Sequence, residues 1–480
     1  MSLKNNFIYS SILTASKYLF PLIVYPYVSR TLGLSNIGIV NFVDNLVNYF
    51  VFVSMMGITT VGVREIAAVK GNKEQLSKTF MSFLSLTIIT TLIAIVLLWI
   101  SMYTFDTLIP YQDMLYVGIV KLVFNLFLIE WFYTGMENFK YITNRSLIIK
   151  CLYVLSVFIF VKDASDYKIY YILSVSVVVV NALINLIYSR RFVRYSMKSV
   201  NLRPYYKAFL IMGVYILFTN VYTYLNPVWL GFVTDTDEVG YFTTATKLHN
   251  IIMAVLLSFA NILFPRVSNL LAEGKKDEFW EKINLSFEAI FLFAFPTIAF
   301  MLVGGPELLH LFVGDGFEGS YLPLRIIAPL TLIVGIEQIL VIQILLAMHQ
   351  DSLVLRNSFI GAIIAFILNI LITSTLKAPG SALVWVSAEC VIMFLSSYDI
   401  YKKYNYIMPY RRVFAYCLSY LPILLLSILV YTYLDNKLIM LATLTVSIFV
   451  YALVFEVFVL KNKVAHLLLK TVHIPPHAEK

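Results

Sequence analysis

The chain has 480 residues, of which 60% are hydrophobic and 13% charged, with a mean hydropathy of +0.83 and a formal net charge of +9. A soluble domain of average composition holds about 45–50% apolar and about 25% charged residues, so this composition excludes a soluble enzyme. It also excludes a disordered chain, because disorder requires low hydrophobicity and high charge. The composition therefore predicts an all-α integral membrane protein that crosses the bilayer many times.

Apolar runs separated by charged or Gly/Pro-containing loops predict about 14 transmembrane helices, at about 20 residues for each crossing. The predicted spans are 7–29, 37–60, 79–103, 113–135, 142–161, 168–189, 207–231, 239–264, 282–303, 321–346, 353–375, 380–399, 410–433 and 438–460. Both termini are expected in the cytoplasm, because most of the 36 Lys and Arg residues then fall in inner segments. The positive charge is thus a topology signal, and no nucleic-acid partner is predicted.

A shift of 202 residues, which places Gly38 on Gly240, aligns two segments of the chain and predicts an internal repeat. In both copies polar residues at positions i, i+3, i+4 and i+7 share one helical face. These residues are Asn41, Asp44, Asn45 and Asn48 in the second span, and Thr243, Thr246, Lys247 and Asn250 in the eighth. An even number of spans separates the copies, as in transporters built from parallel repeats. A chance alignment of two membrane helices is the alternative.

The repeat predicts two pseudo-symmetric six-helix lobes whose polar faces enclose a central, water-filled cavity. The predicted domains are an N-terminal lobe at 1–190, a basic cytoplasmic linker at 191–206, a C-terminal lobe at 207–403, two additional transmembrane helices at 404–463 and a cytoplasmic tail at 464–480.

Three lysines, Lys17, Lys121 and Lys247, lie near the centres of predicted spans, where each costs about 2.5–3.5 kcal/mol if it faces lipid. They are therefore expected to line the cavity or to pair with a carboxylate. The acidic residues within spans are Asp44, Glu130, Glu337 and Glu389. For each of these charges the alternative is a structural ion pair. For the charges nearer span ends, namely Glu130, Lys150 and Arg325, the interpretation is that the side chain snorkels to the interface.

A cationic cavity attracts an anion such as a phosphate, and lysine supplies a mobile point charge suited to a ligand that must leave again. Asp44 is expected to buffer these lysines or to bind a coupling ion. The candidate substrate-binding residues are Lys17, Asn41, Asn45, Asn48, Lys121, Lys247 and Asn250, and the candidates for ion coupling are Asp44 and Glu130. No hydrolase, kinase or dinucleotide motif is present, so no catalytic residue, cofactor or metal ligand is predicted.

Four segments carry a resemblance to a known family: SRTLGLSNIGIVNF (29–42), WFYTGMENFKYITNRSLIIK (131–150), VKDASDYKIYYIL (161–173) and PELLHLFVGDGFEGSYLPLRIIAPL (306–330). The chain resembles the polysaccharide-export branch of the multidrug/oligosaccharidyl-lipid/polysaccharide exporter superfamily, and within it the Wzx-type O-antigen flippases. The similarity covers most of residues 1–400. One departure is the loop LGLSNIG, where the family has an LGPEGYG-like sequence.

The resemblance implies a V-shaped fold of two lobes that moves undecaprenyl-pyrophosphate-linked oligosaccharide from the cytoplasmic to the outer leaflet by alternating access. It implies coupling to a Na⁺ or H⁺ gradient, with Asp44 as the first residue to test, and it carries the family's cationic cavity over to Lys17 and, more loosely, to Lys121. The implied location is the bacterial inner membrane, with its lipid, a glycan polymerase and a chain-length regulator as partners. The rival functions are a lipid II flippase, a drug or cation antiporter of the same superfamily, a membrane glycan polymerase and a structural scaffold.

Overall fold

The computed structural model describes residues 3–196, 200–219 and 224–466, which are predominantly helical and contain no strand. The all-α prediction is therefore confirmed. Packing divides the chain into two compact units, Met1–Thr243 and Thr244–Lys480. The predicted domain boundaries, the V shape and the central cavity stay predictions, and most of the predicted tail at 464–480 lies outside the described residues.

The first unit follows the predicted spans in order. Its helices are α1 (Leu3–Met55), α2 (Val63–Val69), α3 (Lys73–Thr104), α4 (Gln112–Asn125), α5 (Glu130–Gly135), α6 (Phe139–Phe160), α7 (Tyr167–Ser189), α8 (Tyr206–Thr219) and α9 (Asn226–Val233). Helix α10 (Thr236–Ala272) begins in this unit and continues into the second.

The second unit also follows the predicted spans. Its helices are α11 (Lys276–Val303), α12 (Gly305–Val313), α13 (Tyr321–Ile327), α14 (Leu330–Glu337), α15 (Asp351–Leu368), α16 (Ser374–Tyr404), α17 (Tyr410–Tyr433) and α18 (Lys437–Val454). Three π-helical segments extend α14, α15 and α18, at Gln338–Leu346, Asn369–Thr373 and Phe455–Val459. The longest predicted outer loop, 304–320, contains the short helix α12.

Ten helical segments of the described chain are long and apolar enough to cross a membrane. Two of them, Ile8–Met55 and Asp351–Tyr404, have 48 and 54 residues. At about 1.5 Å per residue each is more than twice as long as the hydrocarbon core of about 30 Å, so neither can be one straight crossing. The chain is a multi-pass membrane protein, and the number of 14 crossings stays a prediction.

Both long segments are interrupted where the sequence predicts a loop between two spans. The first has non-helical backbone at Gly33, with φ 75°, and the second at Lys377, with φ 53°. A positive φ suits glycine, which has no Cβ to collide with the backbone, and disfavours lysine. Gly33 therefore ends one predicted span and begins the next at low energetic cost.

The first half of α1 and helix α6 run in the same direction. Three hydrogen bonds join them at a constant separation of 134 residues: Thr143 Oγ1 to the Tyr9 carbonyl, Lys150 Nζ to Ser16 Oγ, and Tyr27 OH to the Val161 carbonyl just after α6. Antiparallel helices would show a constant sum of residue numbers instead. This agrees with the predicted topology, in which the first and fifth spans cross the membrane in the same sense.

The segment after α7, predicted as a basic linker at 191–206, packs against α3. The backbone amides of Arg194 and Asn201 donate to Ser77 Oγ and Ser82 Oγ, both at 3.0 Å. The Tyr205 ring lies 4.8 Å from the ring of Phe83, centroid to centroid. The described part of this segment is thus anchored to the first unit through backbone and aromatic contacts.

A buried polar cluster ties the last two helices to α11. Glu456 is completely buried and accepts hydrogen bonds from Tyr416 OH (2.7 Å) and Tyr420 OH (3.1 Å). Asn462 Nδ2 donates to the Glu288 backbone carbonyl at 2.9 Å, and Arg412 pairs with the Glu288 carboxylate. Because Glu456 and Asn462 have hydrogen-bond partners in the interior, the cluster stabilises the docking of α17 and α18 on α11.

Candidate functional site

Four charged residues of the first unit lie near the midpoints of their helical segments. They are Lys17 in segment 3–32, Asp44 in segment 34–55, Lys121 in α4–α5 and Lys150 in α6. Side chains at the middle of segments that each span the bilayer lie at similar membrane depth. The snorkelling interpretation of Lys150 is wrong, because this residue is central in α6 and its Nζ donates to Ser16 Oγ on α1 at 2.9 Å.

Asp44 and Lys121 form an ion pair between α1 and α4. Lys121 Nζ donates to Asp44 Oδ1 at 2.6 Å, and the two side chains are 13% and 33% exposed. The second carboxylate oxygen accepts a hydrogen bond from Asn48 Nδ2 at 3.0 Å. The sequence grouped Asp44 with Asn48 and expected it to buffer a lysine, and the structure identifies Lys121 as that lysine.

A glycine allows α4 to approach α1 at this pair. Gly118 lies one helical turn before Lys121, and a Cβ at this position would overlap the Val47 side chain and crowd the Tyr171 hydroxyl. The absence of a side chain therefore brings Lys121 within hydrogen-bonding distance of Asp44. Sequence reasoning did not single out Gly118, although it is three residues before a lysine at membrane depth.

Lys17 and Lys150 form a second positive group. They repel each other electrostatically, Lys150 lies 5.6 Å from the centroid of the Phe20 ring, and Lys17 is exposed. Among the described residues, no carboxylate lies within the 4.0 Å salt-bridge distance of either lysine. The sequence predicted Lys17 and missed its neighbour, because Lys150 was interpreted as lying nearer a span end although it is close to the middle of the predicted span 142–161.

The polar face of α1 contacts the start of α10 at equivalent positions of the predicted repeat. Asn41 Nδ2 donates to Thr243 Oγ1 at 2.8 Å, and Gly38 approaches the backbone of Gly240. Both pairs are separated by 202 residues, the offset of the repeat. Asn45 Nδ2 donates to the Asn41 carbonyl at 2.7 Å, so the Asn45 side chain forms this hydrogen bond within α1 itself.

Tyrosines that the sequence analysis did not select surround Asp44. Tyr153 on α6 and Tyr170 on α7 interact electrostatically with each other and with Asp44. Tyr171 is completely buried and also interacts with Asp44, and its hydroxyl has no hydrogen-bond partner among the described residues. The i, i+3 spacing of Lys150 and Tyr153, which places both on one face of α6, was the signal in the sequence.

The remaining predicted site residues make no hydrogen bond to this group among the described residues. Glu130 starts α5 and pairs with buried Arg145 at 2.5 Å in a polar network that includes Asn185, and it also interacts electrostatically with Lys150. Lys247 is half-buried and Asn250 exposed, and both lie in the second unit. The coupling role of Glu130, and a site shared by Lys247 and Asn250 with the other lysines, stay predictions.

The first unit thus holds positive charge near the midpoints of its helical segments, with an amide group and aromatic hydroxyls that interact with Asp44. The Asp44–Lys121 pair is neutral, whereas Lys17 and Lys150 have no carboxylate within salt-bridge distance among the described residues, and Glu130 acts on Lys150 electrostatically from farther away. Ammonium groups bind phosphate oxygens through charge-assisted hydrogen bonds. Amides and tyrosines can hydrogen-bond and pack against polar organic groups. The arrangement suits an anionic ligand that also carries many hydroxyl groups.

Comparison with known proteins agrees with this picture. The family model described as polysaccharide biosynthesis protein matches residues 3–271, more than half of the chain. The chain belongs to this family. Two curated relatives, each named "Putative O-antigen transporter", are 24% identical: one from Escherichia coli (strain K12), with 82% of this chain and 96% of the relative covered, and one from Shigella dysenteriae, with 75% and 91%. This confirms the resemblance to the Wzx-type polysaccharide flippases.

Solved structures identify the fold. The chain is similar to lipid II flippase MurJ in an inward closed conformation, with a TM-score of 0.75 at 14% identity over 94% of this chain and 98% of that one. It is also similar to a multidrug resistance MATE family transporter in an inward-facing conformation, with a TM-score of 0.60 at 14% identity over 80% and 96%. The chain therefore has the fold shared by MurJ and the MATE family transporter, as the sequence predicted.

Proposed function

We propose that the protein flips undecaprenyl-pyrophosphate-linked oligosaccharide from the cytoplasmic to the outer leaflet of the bacterial inner membrane by alternating access. The observation that carries the proposal is the Lys17–Lys150 group, two ammonium groups at mid-membrane depth for which the described part of the chain supplies no carboxylate within salt-bridge distance. Each costs about 2.5–3.5 kcal/mol if it faces lipid, and a bound diphosphate offsets that cost. The family and the names of the relatives support the same substrate class.

In this proposal the head group and the lipid tail are bound by different environments. Lys17 and Lys150 bind the diphosphate, while Asn48 and the tyrosines near Asp44 contact the sugars. The polyprenyl tail remains in the bilayer, because its transfer into a polar site is unfavourable. Asp44 holds Lys121 in place, and both termini lie in the cytoplasm. A glycan polymerase and a chain-length regulator act on the product.

The experiment measures flipping of a fluorescent undecaprenyl-pyrophosphate-linked oligosaccharide in proteoliposomes. Lys17→Ala and Lys150→Ala each remove a charge-assisted hydrogen bond worth about 1.5–3 kcal/mol, so the rate falls about tenfold to a hundredfold. Lys168→Ala is the matched control, since Lys168 pairs with Asp113 at 2.9 Å and both side chains are exposed. If both test variants flip at the control rate, the diphosphate site is wrong.

Lipid II flipping is the second candidate, because the similarity to MurJ covers almost all of both chains. Lipid II carries the same diphosphate but a peptide-bearing head group, so the two functions differ in the sugar contacts. Unlabelled lipid II and unlabelled oligosaccharide lipid are compared as competitors in the same assay. Stronger inhibition by lipid II would favour the second candidate.

A glycan polymerase is distinguished by the chemistry of the product. A flippase returns the labelled oligosaccharide at its original length, whereas a polymerase lengthens it. The longest predicted outer segment forms only the nine-residue helix α12 and a short turn, with no separate domain in that segment. Mass analysis of the recovered lipid tests this directly.

A further inference from the structure

A cavity of about 260 Å³ lies in the second unit, where the last two helices pack on α11. Its wall is formed by α11, by the start of α17 and by the segment that follows α18. The lining residues with charged or amide side chains are Glu281, Asn284, Glu288, Arg412 and Lys463. At about 30 Å³ for each liquid water, the volume corresponds to about nine water molecules, which is room for a small polar group.

The cavity lies at a membrane–water interface. Arg412 is two residues from the start of α17, and Lys463 follows the end of the last membrane-spanning segment, so both lie at one end of this helical pair. Trp280 stacks on Tyr406 with ring centroids 4.4 Å apart, and Tyr406 OH donates to Asn284 Oδ1 on the cavity wall at 2.7 Å. Trp and Tyr are enriched at the headgroup level of bilayers. The predicted topology places this interface on the cytoplasmic side.

Glu288 contributes an acceptor that the described residues leave unused. The residue is 4% exposed, and its Oε1 pairs with Arg412. The second carboxylate oxygen, Oε2, is buried and receives no hydrogen bond from the described residues. A buried acceptor without a donor is unfavourable, and a charged donor forms the strongest hydrogen bond to a carboxylate. The cavity wall therefore favours a cationic donor at Glu288 Oε2.

Lys463 contributes a positive charge to the same cavity. Its side chain is exposed, and no carboxylate of the described residues lies within the 4.0 Å salt-bridge distance of its Nζ. Arg412 is about half exposed, so its guanidinium has donors left over after pairing with Glu288. Phosphate oxygens accept charge-assisted hydrogen bonds from both kinds of group. The cavity wall therefore also suits a phosphate.

The charges of the wall balance. Glu281 and Glu288 are acidic, and Arg412 and Lys463 are basic. A multiply charged anion meets repulsion from the two carboxylates, and a metal cation meets repulsion from the two basic groups. A ligand with one positive and one negative group avoids both penalties. Together with its interfacial depth, this balance favours the headgroup of a zwitterionic lipid.

We propose that this cavity binds the headgroup of a phospholipid with a primary amine, the chemistry of phosphatidylethanolamine. The ammonium group donates to Glu288 Oε2, and the phosphate accepts from Lys463 and Arg412. The acyl chains remain in the bilayer, and no covalent bond forms or breaks. The lipid stabilises the packing of α11, α17 and the segment after α18. The site lies in the second unit, apart from Lys17 and Lys150, and its binding does not depend on the proposed flipping activity.

Native mass spectrometry of the full-length protein with added lipid tests the headgroup. Phosphatidylethanolamine and phosphatidylcholine with identical acyl chains are compared, because choline has methyl groups in place of the N–H donors. Wild type is expected to bind one phosphatidylethanolamine at least about tenfold more tightly, since a hydrogen bond to a charged group is lost with choline. Equal affinity for the two lipids would overturn the proposal. This comparison requires no variant to fold.

Two variants then test the two ends of the headgroup. Glu288→Gln should abolish the preference for phosphatidylethanolamine, whereas Lys463→Ala should weaken binding of both lipids, because both carry the phosphate. Lys461→Ala is the matched control, since Lys461 is exposed, lies two residues away and does not line the cavity. If Lys463→Ala binds both lipids as Lys461→Ala does, the phosphate contact is wrong. Lys463 makes no ion pair with the described residues, so its removal leaves the fold intact.

Free phosphoethanolamine distinguishes a lipid from a soluble ligand with the same polar groups. For a lipid site, an equal concentration of the free compound should displace little bound phosphatidylethanolamine, because it lacks the acyl chains that partition into the apolar phase. Displacement as strong as that by the lipid would overturn the lipid assignment. The assay contains no oligosaccharide lipid, so failure of the proposed flipping function leaves its outcome unchanged.

Discussion

Removing the charges of Asp44 and Lys121 tests whether their ion pair has a structural or a functional role. The perturbations are Lys121→Met, Asp44→Asn and the double variant, which replace each charge by an uncharged side chain of similar size. A structural pair requires only that both charges be present or both absent. A functional pair requires the charges themselves, so the double variant gives opposite results for the two roles.

The magnitude follows from the geometry. At the 2.6 Å separation of Lys121 Nζ and Asp44 Oδ1, attraction at an effective dielectric constant of about 20 is about 6 kcal/mol, and desolvation of both ions offsets most of it. Removing one partner leaves a half-buried charge alone, which we expect to cost about 3 kcal/mol, the lower end of measured values for buried pairs. The double variant should lie within about 1 kcal/mol of wild type.

Two assays are needed for each of the four proteins. Unfolding in detergent measures stability, and flipping of the oligosaccharide lipid in proteoliposomes measures activity per folded protein. The expected result is that the double variant regains stability but flips at least tenfold more slowly than wild type. A double variant with wild-type flipping would refute a functional role, because the pair would then serve only to hold α1 and α4 together.

Three further predictions concern packing and the polar cluster. Gly118→Val forces a side chain against Val47 and Tyr171, so unfolding in detergent should show a loss of about 1–3 kcal/mol, typical of overpacking. Gly38→Ala places a methyl group against the backbone of Thr236 and should lower the yield of folded protein in size-exclusion chromatography. Tyr416→Phe removes one donor from buried Glu456 and should reduce stability by about 1–3 kcal/mol, with unchanged flipping per folded molecule.

The helices were predictable because bilayer thickness and hydrophobicity set their lengths. Helix α17, Tyr410–Tyr433, matches the predicted span 410–433, and α7, Tyr167–Ser189, begins one residue before its predicted span. The interruptions inside spans were not predictable in the same way. Ile129 adopts φ 35° between α4 and α5, and the segment after Glu337 is π-helical. Hydropathy measures side-chain transfer and carries no information on backbone hydrogen-bond register.

Helical periodicity predicted the part of the candidate site that lies on α1. The spacing of Asn41, Asp44 and Asn48 placed them on one face of one helix, and the structure joins Asn48 to Asp44 at 3.0 Å. The partner lysine lies 77 residues away on another helix, and its choice depends on the rotation of α4 about its own axis. A single sequence fixes which residue types need partners, because of the cost of membrane-embedded charge, but not which helix supplies them.

The repeat gains support from contacts that an accidental alignment would not produce. Two unrelated helices can be aligned by similar polar spacing, but nothing then requires the aligned residues to touch. Here Asn41 hydrogen-bonds to Thr243 at 2.8 Å, and Gly38 approaches Gly240, with both pairs separated by the same 202 residues. Equivalent positions meet in this way when two copies of one segment pack around a local two-fold axis. Glycine is then needed at both Gly38 and Gly240, since a Cβ on Gly38 meets the backbone of Thr236 and a Cβ on Gly240 meets the backbone of Leu34.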